Sequence, residues 1–245
     1  MSAWTWSVGV TTAGRQEPTL DRMLSSLTQA GWERPRLFAD ADALISSEWT
    51  HLPVTRRDLQ VGAFPNWYLG LTELVMRQPQ ADAYLLCQDD VIFCRGVRAY
   101  LEQTLWPAER VGVVSLFCPS LYARGKLPGF HVEDRGWDTW GAQAYLFSPF
   151  SAESLLTSPI PIQHRRCGPA GGARNIDSVV GHWCREARLP YFVHSPSLVQ
   201  HIGVTSTLYL GAGIWGNRAA GDFVGEQRDL LNDSAVLGSS SQKQA

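Results

Sequence analysis

The sequence predicts an α/β domain built on a parallel sheet flanked by helices. Three observations carry that reading. Short apolar runs alternate with amphipathic stretches of helical spacing along the chain. The runs "WTWSVGV" and "RPRLFAD" are joined by one such stretch, and a strand–helix–strand unit of this kind requires parallel strands. A chain of 245 residues with 44% hydrophobic content is long enough to bury the core of one large domain.

The first strand runs from Trp4 to Val10 and stops at small polar residues and Gly14. In "TLDRMLSSLTQAGW", Leu20, Met23, Leu24 and Leu27 recur at helical spacing, with Pro18 or Thr19 at the start and Gly31 at the end. The second strand ends at Asp40. "FPNWYLGLTELVMRQP" reads as a second helix ended by Pro79, and "ADAYLLCQDDV" as a buried strand that runs into an acidic pair. "RGVRAYLEQTLW" is a third helix, while "VGVVSLFCP" and "WGAQAYLFSP" are further strands. "SAESLLTS" is a short helix with Ser151 as its expected cap. "NIDSVVGHWCREARLP" is a helix whose Arg185 and Arg188 complement its dipole, and "YFVHSPSLVQHIG" closes the pattern as one strand-like segment.

Composition excludes some classes. The net charge of −2 and pI near 6.3 give no strong field towards nucleic acid or an anionic membrane. Arg dominates the basic residues, with Lys126 and Lys243 the only lysines. No apolar stretch reaches the ~18 residues of a membrane span. The opening "MSAWTWSVGV" lacks the pattern of a secretory signal, so a cytoplasmic location is expected. Five scattered cysteines without C-x-x-C spacing point to buried thiols rather than zinc. Most of the ten Trp are expected in packing. Two Gly-rich loops, residues 164–174 and 211–222, stand out, and the first is basic. The tail, residues 237–245, is expected to be disordered.

The chemistry concentrates in "AYLLCQDDVIFC". Asp89 and Asp90 repel each other at the end of an apolar strand. In an open α/β sheet this is where ligands bind. A divalent ion, an arginine or a helix-capping role would each answer the pair, and Mg²⁺ or Mn²⁺ suits one or two carboxylates completed by phosphates.

Four stretches, spanning roughly residues 5–207, resemble the family-2-like glycosyltransferases of GT-A fold. They are "VGVTTAGRQEPTLDRMLSSLTQAGW", "FPNWYLGLTELVMRQPQADAYLLCQDDV", "GWDTWGAQAYLFSP", and "NIDSVVGHWCRE" with "SPSLVQHIG". The resemblance implies a single GT-A (Rossmann-like) domain over residues 1–236, with a mixed, mostly parallel central sheet. Residues 1–110 would form the nucleotide-binding half and residues 111–236 the acceptor half. It implies Mn²⁺ or Mg²⁺ on Asp90 and His201, with Asp89 towards the ribose. It implies nucleotide contacts from Thr11, Thr12, Arg15 and Asp40, a contact to the base edge or a brace on the loop from Asn66, and diphosphate contacts from Arg165, Arg166 and Arg174. Asp177 would be the general base of an inverting transfer. Trp137, Asp138 and Trp140 would line the acceptor. Gln88 departs from the family, which has an acid there.

The implied activity is transfer of a sugar from a UDP-sugar to an acceptor hydroxyl, on a saccharide or on a hydroxymethylated base of phage DNA. A retaining mechanism stays open. So do a nucleotidyltransferase and a non-catalytic sugar-nucleotide or carbohydrate-binding protein, although "TTAGRQEP" lacks the Gly-rich, Lys-bearing loop of the former.

Overall fold

The structure, a computed structural model, describes residues 4–123, 127–166, 175–203 and 219–230. The expected first unit is present: β1 (Trp6–Thr12), α1 (Leu20–Ala30) and β2 (Arg36–Ala39), with β1 and β2 parallel. Gly31 ends α1 in the left-handed conformation (φ 112°), and its N–H donates to the Leu27 and Thr28 carbonyls. The short β3 (Val54–Arg56) follows, then α2 (Ala63–Arg77), β4 (Ala83–Gln88), β5 (Val91–Phe93), α3 (Val97–Thr104) and β6 (Val113–Ser115). The second half contributes α4 (Ser120–Ala123), β7 (Gly129–Val132), β8 (Ala144–Phe147), α5 (Pro149–Thr157), α6 (Pro159–Gln163), α7 (Ile176–Glu186), β9 (Tyr191–Ser195) and β10 (Val199–His201).

Among the described residues one eight-stranded sheet runs β3-β2-β1-β4-β8-β6-β9-β7. Four of its seven neighbour pairs are parallel and three antiparallel, so the sheet is mixed and mostly parallel. It passes through both halves of the chain, because β8 lies between β4 and β6. Both faces are covered. Val10, Leu85, Cys87, Leu146 and Val114 pack towards α1 and α3. Phe38, Leu86, Tyr145, Phe147 and Val193 pack towards α2, α5 and α7. Burial on both faces explains why the strands read as continuous apolar runs.

Three local expectations are corrected. The cap of α5 is Ser148, not Ser151: the Ser148 Oγ accepts from the Ser151 N–H at 3.1 Å and Pro149 opens the helix. "YFVHSPSLVQHIG" is two strands in two sheets, β9 in the large one and β10 paired antiparallel with β5. The strands β3 and β7 carry half-exposed residues and little apolar pattern, so periodicity missed them. Of the ten Trp, Trp32, Trp49, Trp67 and Trp183 are buried, as packing predicts, while Trp140 is 44% exposed. The described cysteines, Cys87, Cys94, Cys118 and Cys184, are all buried. Among the described residues no helix is long and apolar enough to cross a membrane. The tail 237–245 lies outside the described residues.

Candidate active site

Strand register brings the site together. In the parallel pair β1–β4, Thr11 stands opposite Gln88. The Asp89 N–H extends the ladder by donating to the Thr11 carbonyl at 3.1 Å. Thr12 therefore meets Asp89, and its hydroxyl donates to Asp89 Oδ2 at 2.6 Å. In the antiparallel pair β5–β10, His201 stands opposite Val91. The next step of that ladder is the Ile202 N–H donating to the Asp90 carbonyl at 2.8 Å. His201 Nε2 consequently lies 3.2 Å from Asp90 Oδ2. Two ladders from distant parts of the chain thus deliver two side chains each to one point beyond the carboxyl ends of β1 and β4.

Arg15 completes the cluster. Its Nε and NH2 donate to Asp89 Oδ1 at 2.9 and 2.5 Å, and NH2 also lies 2.9 Å from Asp90 Oδ2. The acidic pair therefore holds an arginine in this structure. Both carboxylates are buried, at 2% and 5% exposure. Burial pushes the Asp89 carboxyl up, and the Arg15 charge offsets this only in part. Burial would also raise Asp90, but the His201 hydrogen bond and the Arg15 charge outweigh it and hold that carboxyl below the usual range. Burial alone would lower the Arg15 pKa; the Asp90 and Asp89 charges win and raise it.

The residues fit a divalent ion in three respects. A carboxylate oxygen and an imidazole nitrogen are donors that Mn²⁺ accepts, and they lie side by side. Asp90 Oδ1 is buried and has no hydrogen-bond partner among the described residues. Gly203 faces both donors, so closely that a Cβ there would lie 2.9 Å from Asp90 Oδ2 and 3.0 Å from His201 Nε2. Among the described residues no group of three or more His, Cys, Asp and Glu forms a complete cage. A two-ligand site is what hard cations use when phosphates supply the remaining oxygens.

The other expected residues take other places. Thr11 turns inward, and its hydroxyl donates to the Cys87 carbonyl at 3.3 Å. Asp40 is buried at the end of β2, and its carboxylate accepts from the Ala41, Val61 and Gly62 N–H groups at 2.9 to 3.0 Å. Both its oxygens thus fasten the loop before α2. Asn66 braces the same region: its amide donates to the Phe38 carbonyl and its oxygen accepts from Arg57 Nε at 3.0 Å. Arg165 and Arg166 are exposed at the end of α6, and Arg174 lies outside the described residues.

Asp177 sits in the first turn of α7, after the cap residue Asn175, with Oδ1 accepting from the Ser178 N–H at 3.1 Å. Its charge acts on the buried hydroxyls of Tyr122, Tyr145 and Tyr191, all held above the usual tyrosine range mainly by burial. The Tyr122 hydroxyl accepts from the Trp140 N–H, and the Tyr191 hydroxyl donates to the Trp140 carbonyl. The same two hydroxyls thus feel the Asp177 charge and hold the backbone of exposed Trp140. From there the chain leads to the acidic pair through the next residues, since Gln88 Nε2 donates to the Ala142 carbonyl at 3.1 Å. Gln88, at the position where an acid was expected, ties β4 to the segment entering β8. Trp137 stacks on His182 with centroids 3.8 Å apart, so its ring is packing rather than wall.

Sequence reasoning missed Gly203 and Gln143. The Gln143 side-chain oxygen is buried without a partner among the described residues, and its backbone carbonyl accepts from the Gln88 N–H. No sequence signal marks either one.

No family model and no curated protein matches this sequence. Among solved structures the chain is similar to GalNAc-T7 crystallised with UDP, GalNAc and Mn²⁺, with a TM-score of 0.56 and 10% identity over 82% of this chain. The fold is GT-A. The match spans 44% of the length of that neighbour. At this identity the likeness concerns the fold, and the site has to be argued from its own geometry.

Proposed function

We propose that this protein is a metal-dependent, family-2-like glycosyltransferase, a single catalytic domain over residues 1–236 that moves a sugar from a UDP-sugar to an acceptor hydroxyl. The observation that carries the reading is the meeting of Asp89, Asp90 and His201 beyond the carboxyl ends of β1 and β4. The UDP and Mn²⁺ held by a neighbour of the same fold support it.

Asp90 and His201 would hold the divalent ion. Once bound, that ion would supply positive charge against the diphosphate as the glycosidic bond breaks. Thr12 fixes the Asp89 carboxylate, which would approach the ribose of the donor. Arg165 and Arg166, exposed at the edge of the basic loop, would add charge for the leaving group. In the transfer itself the bond from the anomeric carbon to the diphosphate oxygen breaks, and the acceptor oxygen bonds to that carbon. The acceptor oxygen would attack from the face opposite the leaving diphosphate, which inverts the anomeric carbon, and the hydroxyl proton would go to Asp177 as general base. Trp140 offers an exposed ring on which a saccharide acceptor would stack.

The test is calorimetric titration of UDP with and without Mn²⁺, on wild type and Asp90→Ala. The reading expects binding that needs the ion and weakens at least about tenfold in the variant, the usual scale for a lost ligand contact. UDP binding indifferent to both would overturn it. Donor turnover with saccharides and with duplex DNA carrying hydroxymethylated bases would then separate the acceptor classes.

A further inference from the structure

The oxygen that would join His201 in holding a cation already carries one. Arg15 NH2 lies 2.9 Å and His201 Nε2 3.2 Å from the same Asp90 Oδ2. The guanidinium is well buried, at 12% side-chain exposure, and reaches both carboxylates. We propose that Arg15 is the resident counter-ion of the acidic pair, and that the donor's diphosphate draws it off Asp90 as the divalent ion binds there. The inference rests on the metal-dependent reading above.

Four observations argue for an exchange rather than a permanent bridge. First, a divalent ion ligated between Oδ2 and Nε2 would meet the guanidinium at one oxygen. Like charges a few Å apart in a poorly hydrated site repel by several kcal/mol at an effective dielectric constant of about 20. Secondly, two carboxylates against one guanidinium leave the cluster a formal charge of −1, before His201 is counted. The −2 of the bare pair is neutralised by one divalent ion alone, whereas an arginine and a divalent ion together would leave it at +1. Thirdly, Arg15 lies between β1 and α1, outside any helix or strand, and the neighbouring Gly14 is tied to Asp42. The side chain can turn without breaking a ladder. Fourthly, the planar fork that now spans two carboxylates matches two oxygens of a diphosphate equally well.

The consequence is a coupling. Without nucleotide, Arg15 opposes the ion; without the ion, the acidic pair holds Arg15 away from the diphosphate. Each ligand therefore raises the affinity for the other, by the same factor in both directions.

The experiment follows Mn²⁺ binding directly by electron paramagnetic resonance, without turnover, in wild type, Arg15→Lys and Arg15→Gln. Each is measured with Mn²⁺ alone and with UDP, after circular dichroism has confirmed the fold. The expected result is tighter binding of Mn²⁺ alone in the order wild type, Arg15→Lys, Arg15→Gln, with at least about a tenfold gain in the last and a matching loss of the UDP enhancement. Arg15→Lys keeps the charge and gives up the second contact, so it reads the effect even where Arg15→Gln folds poorly. Equal Mn²⁺ affinity in the folded proteins, or weaker binding in the variants, would overturn the proposal. If wild type with UDP still binds Mn²⁺ in an Asp90-dependent way, only the Arg15 exchange fails. If no protein binds Mn²⁺ even with UDP, the metal-dependent reading falls with it.

Discussion

At the scale of single residues, the site is a problem of one oxygen and its suitors. Asp90 Oδ2 is shared by Arg15 and His201, while Oδ1 is buried without a partner among the described residues. A buried carboxylate oxygen left in that state is costly unless something else satisfies it. Gly203 keeps the approach open, since any side chain there would press on both Asp90 and His201. Gly203→Ala is therefore expected to weaken Mn²⁺-dependent UDP binding by about tenfold or more, an effect the size of a disturbed metal ligand. Calorimetry reads the affinity, and an unchanged thermal midpoint shows that the fold is intact. Wild-type affinity in this variant would mean that no ion sits between those two donors.

At the scale of elements, α2 sets how closely the first half of the chain can pack. Its Gly70 and the Gly9 of β1 both close on the Cδ2–Cε2 edge of the Phe38 ring, with a Cβ at either meeting the ring within 2.9 Å. Phe38 is fully buried, so small residues at both positions are a packing requirement. Gly70→Val should lower stability by about 2 kcal/mol through overpacking, since the gain in helix propensity over Gly is only a few tenths. Urea unfolding would show it as a lower midpoint at unchanged slope. The same closeness positions the site: Asn66 on α2 holds the Phe38 carbonyl, and Asp40 two residues later fastens the loop that leads into α2. Asp40 shows how a polar residue at a strand end can be needed to satisfy the backbone.

At the scale of the whole molecule, the second half of the chain is locked to the first by a buried polar column. His194 on β9 is fully buried, with Nδ1–H donating to the Pro196 carbonyl at 2.7 Å and Nε2 accepting from the Tyr100 hydroxyl at 2.7 Å. Tyr100 belongs to α3, so the contact joins β9 to a helix of the first half of the chain. Burial lowers the His194 pKa to about 4, against about 6.5 in an unfolded chain. Between those values the unfolded chain takes up a proton that the folded one refuses. Stability is therefore complete above about pH 6.5 and declines as the pH falls towards 4, by about 3 kcal/mol in all. Urea midpoints measured across that range should show the decline in wild type and a flatter profile in His194→Gln. Equal slopes would place the acid sensitivity elsewhere.

Much of this was present in the sequence because it is local. Hydrophobic spacing and the Gly31 stop determined α1, the apolar runs determined β1, β2 and β4, and the carboxylates of "QDDV" had to lie at a strand end because the strand before them was unmistakable. Trp packing and buried thiols followed from composition. What the tertiary structure decided is everything that depends on register between distant segments. The β5–β10 ladder sets His201 against Asp90 across 111 positions of sequence, and the β1–β4 ladder sets Thr12 against Asp89. Neither register leaves a periodic trace, and neither does the choice of Arg15 as partner. The sequence carried the charge of the acidic pair; only the folded chain determined which cation answers it, because a salt bridge is chosen by distance in space.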